Sequence, residues 1–223
     1  MTSAPQSIGL PTRSVDELWL DVLQQVSVRT AHELKGALNG VSVNLEVVRS
    51  RSVRPDAAAV AVAPFASSAA DQLDAVVGMT EALLKLARPA REPVDVNDTI
   101  DCLTSLLAPS ARAEGGSLRL EMPHRELAAA SVVRARGNVV RVVIGATLLA
   151  ALARKGDIRC KVDIGEETLV GVECADAEGP LELPIDVLAA AAAADIRVHG
   201  EGQTISLAFP RAGAAHQRTP ERA

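Results

Sequence analysis

Tyrosine is absent from this 223-residue sequence, and its aromatic residues are Trp19, Phe65 and Phe209. Base stacking needs several such rings on one surface, and a net charge of −5 supplies no basic field for phosphate backbones. Nucleic acid is therefore excluded as an expected partner. Cysteine is scarce too. Cys102, Cys160 and Cys174 are odd in number, far apart and without a C-x-x-C pair, which argues against a disulfide framework or a zinc site and for a reducing, cytoplasmic setting. Long apolar runs are missing. No basic segment leads into an apolar one at the N-terminus, and the uncharged run Val142–Ala153 directly follows Arg141. That run falls short of the roughly 20 residues a spanning helix needs. Neither a membrane partner nor a signal peptide is expected.

Aliphatic residues and alanine are plentiful, a composition suited to closely packed helices. Residues 1–13 and 213–223 are small and polar and read as flexible tails. Ser14 stands three residues before Glu17, a capping-box pattern that opens a helix. Its seam runs through Leu20, Leu23, Ser27, Ala31, Leu34, Leu38, Val41, Leu45 and Val48, the alternating spacing of three and four that marks bundles and coiled coils. A break at RSRSVRPD precedes a second pattern through Phe65, Ala69, Leu73, Val76, Thr80, Leu83 and Ala87. Two helices so joined form an antiparallel hairpin, whose seams are fully buried only when two copies pair into a four-helix bundle. A homodimer is expected.

The proline-rich stretch ARPAREPVDV divides this hairpin, 14–90, from a second domain, 91–212. There the spacing predicts helices over 96–113, 138–153 and 185–194, and strands over 117–122, 157–164, 168–174 and 204–209. The expected fold class is α+β, with helices covering one face of a sheet.

The densest chemistry lies in A-H-E-L-K-G-A-L-N-G, Ala31–Gly40, in the middle of the first helix. With Ala31 in the seam, His32 falls beside it, held by the bundle yet open to solvent. Imidazole in general is largely neutral at pH 7 and nucleophilic toward phosphoryl groups. Glu33 is placed to take or orient a ring proton. Gly36, one turn on, costs about 1 kcal/mol relative to alanine but leaves space beside the ring. Asn39 and Glu46 continue the stripe at seven-residue spacing. A helical histidine is more often an ordinary surface residue, so position alone does not assign it chemistry.

The run HELKGALNGVSVNLEVV resembles the H-box of two-component sensor histidine kinases, H-E-[LI]-[KR]-x-P-L followed by an apolar seam. It matches at His32, Glu33, Leu34, Lys35 and Leu38, and departs at Ala37, where proline is common. The resemblance runs from about residue 20 to 212, weakening past the linker. It implies a dimeric bundle followed by a degenerate ATPase-like α/β sandwich, with His32 as phosphoryl acceptor, Glu33 as proton acceptor and Lys35 as a charge facing the phosphoryl group or an acidic receiver site. Gly36 stands where the family's phosphatase activity often uses Thr or Asn.

The segment GNVVRVVIGATLLAALARKGD is similar to the helix that carries the N-box, but Ala146 and Ala150 stand where an Asn would hold magnesium and phosphates. A methyl group cannot ligate a hard cation. Asp176-Ala-Glu-Gly-Pro180 keeps the Asp of a D-x-G-x-G element with its glycines disturbed, and reads as an ordinary loop carboxylate. Few residues remain before His199 for a lid. Gly200 and Gly202 read as turn glycines, and His124, His199 and His216 as scattered loop or surface residues.

These features lead to a histidine phosphotransfer protein of a phosphorelay, carrying phosphoryl groups between receiver Asp residues through His32 without ATP. No cofactor is expected on this chain, magnesium being expected on the partner receiver. Receiver domains are the expected partners, with a hybrid histidine kinase as a further candidate. Two other readings remain: a divergent active histidine kinase, and a non-catalytic adaptor that sequesters response regulators.

Overall fold

A computed structural model describes residues 13–53, 59–90, 94–122, 132–133, 135–175 and 179–210. The tail segments 1–12 and 213–223, Asp176, His124 and His216 lie outside the described residues. The molecule is α+β, a long helical hairpin followed by an α/β part.

Ser14 caps helix α1, Val15–Ser52, through the expected capping box: its hydroxyl accepts from the Glu17 backbone, and the Glu17 carboxylate accepts from Ser14 N at 2.7 Å. These bonds occupy amides that would otherwise lack a partner at a helix start, and they hold the Glu17 carboxyl below its usual range. After a 3-10 turn at Ala59–Ala61, α2 covers Ala63–Ala87 with Pro64 in its first turn. The two helices pack along their lengths as the hairpin.

Past the hairpin, Val94–Asp95 (β1) pairs antiparallel with Val132–Val133 (β3). Asp95 accepts from the Asn97 and Asp98 amides and so starts α3, Val96–Ala113. A five-stranded sheet follows from Ser117–Glu121 (β2), Asp157–Ile164 (β4), Glu167–Ala175 (β5), Arg197–Glu201 (β6) and Thr204–Pro210 (β7), in the order β2-β4-β5-β7-β6. Strands β2 and β4 run parallel, joined by a crossover containing α4, Gly137–Leu152, and the other pairs are antiparallel. A short helix, α5, covers Ile185–Ala193.

Alternation of side chains sets the layers. Ile158, Cys160 and Val162 of β4, Val170, Val172 and Cys174 of β5, and Ile205, Leu207 and Phe209 of β7 are buried in the core with the helices. The opposite face carries exposed charge, with Arg159 bridging Glu121 and Glu173 at 3.3 and 3.4 Å. Thirteen of the 16 residues of α4 are buried, because the sheet lies on one side of it and α1 on another. One apolar core joins Leu18, Trp19, Val22 and Val26 of α1 and Leu86 of α2 to α3, α4 and the sheet, so it crosses the boundary drawn at residue 91.

Several contacts hold the hairpin base on α4. Gly145 lies so near Val22 that a Cβ there would meet Val22 Cγ1 at 2.5 Å. Arg141 lies over the Trp19 ring at 5.4 Å and donates to the carbonyls of Leu86 (3.1 Å) and Arg88 (2.8 Å), capping the C-terminal end of α2. Burial pulls the Arg141 pKa below its ordinary value.

The structure adds strand β6, whose sequence R-V-H-G-E has one large apolar residue and does not alternate. Gly200 lies within β6, whereas Gly202 sits in the turn after it with φ +58°. Among the described residues no helix is long and apolar enough to cross a membrane.

Candidate functional site

Three stripes of α1, each about 100° round from the last, divide its middle. Thr30, Ala37 and Asn44 face inward: Thr30 is fully buried, and Asn44 donates to Ser68 Oγ at 3.1 Å and Gln72 Oε1 at 3.2 Å across the hairpin. Ala31, Leu38 and Leu45 form a second, apolar stripe that stays exposed, Leu38 by 48% and Leu45 by 53%. His32, Asn39 and Glu46 form the third, polar and exposed.

The seam read from sequence is therefore split. Leu23, Ser27, Leu34, Val41 and Val48 are half-buried, while Leu20, Ala31, Leu38 and Leu45 face out. On α2, Leu73, Val77 and Leu84 are similarly exposed. One chain covers only part of its heptad surface.

The imidazole of His32 sits two residues past Thr30, the last fully buried residue of α1. Around it, Asn39 lies on the same stripe two turns on, and Lys35 is exposed about 60° to one side, one turn C-terminal. Gly36 lies one turn on in open space, where an added Cβ would meet nothing within 4 Å. Glu33 is half-buried and about 100° round from His32, since successive helical residues do not face each other. The structure thus groups His32, Lys35 and Asn39 on one open face and leaves Glu33 at its edge.

Arg29 joins this neighbourhood through a contact that the sequence does not signal. It stands one turn N-terminal to His32 and pairs at 2.7 Å with Glu114, the C-cap residue of α3. Its spacing to the histidine was visible in the sequence; its partner, 85 residues away, was not.

Other candidate positions are occupied by structural duties. The only side chains on α4 with polar atoms are Asn138, Arg141 and Thr147. Asn138 donates to Asp16 at 2.9 Å, and the fully buried Thr147 donates to the Val143 carbonyl. Ala146 is buried and Ala150 half-buried, so this helix turns no oxygen ligand toward a nucleotide at either position. A cleft of about 360 Å³ opens at the hairpin base. Its Lys85 pairs with Asp98 at 2.7 Å, its Asp95 caps α3, and its Arg141 caps α2. All three cysteines are buried, out of reach of a substrate at the surface, and burial raises the Cys102 thiol and pushes Cys160 up to about 12, which disfavours the thiolate at both. His199 is exposed, 3.9 Å from Glu201 on the edge strand β6. Among the described residues no group of three or more His, Cys, Asp and Glu could hold a metal ion.

No family model matches this sequence, and no curated protein matches it. Among solved structures, the Acinetobacter baumannii histidine kinase AdeS is similar at 12% identity and a TM-score of 0.39, over 80% of this chain and 97% of that one. Full-length ShkA, solved in complex with AMPPNP, is similar at 18% identity and a TM-score of 0.40, over 86% of this chain. This chain spans 46% of the ShkA chain. Likeness at this level says nothing of activity.

Proposed function

We propose that this chain is a dimeric histidine phosphotransfer protein, taking phosphoryl groups from the Asp of one response-regulator receiver and passing them to another through His32. The observation that carries this reading is the open stripe of His32 and Asn39, with Gly36 clearing one side, on a helix braced by the hairpin. A receiver can lay its active-site rim on such a face and bring its acyl phosphate to the ring.

In the transfer, the lone pair of one ring nitrogen forms the N–P bond as the P–O bond to the receiver Asp breaks. The aspartate leaves as a carboxylate. The proton on the other ring nitrogen stays or passes to water at the exposed face, with Glu33 at its edge. Because the donor is an activated acyl phosphate, positioning is the chief demand on this chain. Lys35 and the receiver's own magnesium supply positive charge near the transferring group.

One further observation favours this reading over kinase activity. Helix α4 offers a nucleotide no oxygen ligands at Ala146 and Ala150, and thirteen of its 16 residues are buried. The dimeric part of the reading is supported by the exposed Leu38, Leu45, Leu73, Val77 and Leu84, a surface that a second copy would cover in a four-helix bundle.

The test is a three-component relay without ATP: one receiver phosphorylated on Asp, this protein, and an unphosphorylated receiver. Label reaches the second receiver when this protein is present and fails to do so with His32→Gln. Equal transfer with the variant would overturn the proposal, and binding of both receivers with no transfer by either form would establish an adaptor instead.

A further inference from the structure

The two cations that bracket His32 differ in one respect. Lys35, one turn C-terminal, is exposed and makes no ion pair among those of the described residues. Arg29, one turn N-terminal, is held at 2.7 Å by Glu114, with each side chain about one-third exposed. Residues three apart on a helix have Cβ atoms about 5–6 Å apart, and although both side chains lean toward the N-terminus, the rotatable bonds of Arg29 let its guanidinium turn back along the helix toward His32. The long arginine side chain can therefore reach either Glu114 or a group built on the His32 ring.

Glu114 is a poor permanent partner. It sits at the C-cap of α3, the negative end of the helix dipole, where a carboxylate is disfavoured and a cation favoured. Arg112 in the last turn is the other cation there, and Arg29 supplies the cation from outside the helix. A phosphoryl group on His32 would bring nearly two negative charges and three strong acceptor oxygens within one turn of Arg29. Guanidinium–phosphoryl pairing is bidentate and among the stronger polar contacts available.

We propose that Arg29 is the phosphoryl-binding residue of this site, held by Glu114 while His32 is unmodified and shifted to the phosphoryl oxygens when His32 carries them. This inference rests on His32 being the phosphoryl carrier. Its second half is a coupling: as Arg29 leaves, the end of α3 keeps Arg112 but loses one of its two nearby cations, so the hairpin reports its phosphorylation state to α3.

The experiment uses the full chain in a background with His124→Gln, His199→Gln and His216→Gln, phosphorylated by potassium phosphoramidate. That reagent places a phosphoryl group on histidine and releases ammonia, so no receiver is involved. Side-chain NMR signals of the Arg29 guanidinium and the Glu114 carboxylate are expected to move together on phosphorylation. Labelling of His32 by the anionic reagent is expected to slow about threefold in Arg29→Gln, to be partly restored in Arg29→Lys, and to quicken about threefold in Glu114→Gln, the scale of an exposed ion pair. Unchanged Arg29 and Glu114 signals, or labelling rates indifferent to all three substitutions, would overturn the proposal. Failure of the relay leaves these readouts intact, so the two ideas fail separately.

Discussion

His32 and Gly36 illustrate how exposure separates chemistry from stability. His32 is exposed on a capped helix, so His32→Gln should abolish phosphoryl uptake while changing the unfolding free energy by no more than about 0.5 kcal/mol, the range for open surface sites. Paired activity and denaturation measurements check this. The two glycines that follow are predicted to behave differently. Gly36→Ala should stabilise the protein by about 1 kcal/mol, because a helical glycine is replaced in open space. Gly40→Ala should gain less, since its Cβ would land 2.5 Å from the Gln72 amide, which must swing away and give up its bond to Asn44. Urea unfolding of the two variants would show the larger rise in midpoint for Gly36→Ala. The exposed placement of His32 beside the seam was legible in the sequence because a local motif coincides with a heptad pattern. Arg29 was not, because ion pairs between distant segments leave no periodic trace.

Among the elements, α3 and β4 match their sequence expectation residue for residue. Asp95 caps the one, and strict alternation through D-I-R-C-K-V-D-I marks the other. Strand β6 was missed because it is an exposed edge strand held by backbone pairing to β7. More consequential is α4, whose nearly uniform apolarity announces burial but not the partner. Arg141 decides that partner by capping α2 and lying over Trp19. Arg141→Met should therefore loosen the hairpin from α4 and cost about 1.5–3 kcal/mol, the range for hydrogen bonds made by a charged group. The measurement is urea unfolding, together with proteolysis of the 88–95 segment. A variant as stable and protease-resistant as the parent would show that the core contacts of Val22 and Gly145 suffice.

Taken whole, the molecule has one core running from the hairpin base to the sheet and one apolar surface left open along the hairpin. The open surface was legible in the sequence as a seam too wide for one partner helix, whereas the shared core was not, because the proline-rich stretch ARPAREPVDV reads as a divide between two domains. Which half of the seam α2 would cover depended on the Asn44, Ser68 and Gln72 bonds, which only the folded hairpin reveals. The double variant Leu45→Glu with Leu73→Glu should place charge on that open surface and yield monomers in sedimentation velocity, with helix content retained. A parent protein that is itself monomeric at micromolar concentration would remove the bundle from the proposed function. The central claim concerns where the phosphoryl group goes. The most direct measurement incubates the protein with an Asp-phosphorylated receiver in the absence of ATP, quenches in alkali and maps the modified residue by mass spectrometry. Alkali-stable phosphate on His32, appearing as the receiver loses its own, is the predicted result; a receiver that keeps or hydrolyses its phosphate while His32 stays unmodified would contradict it.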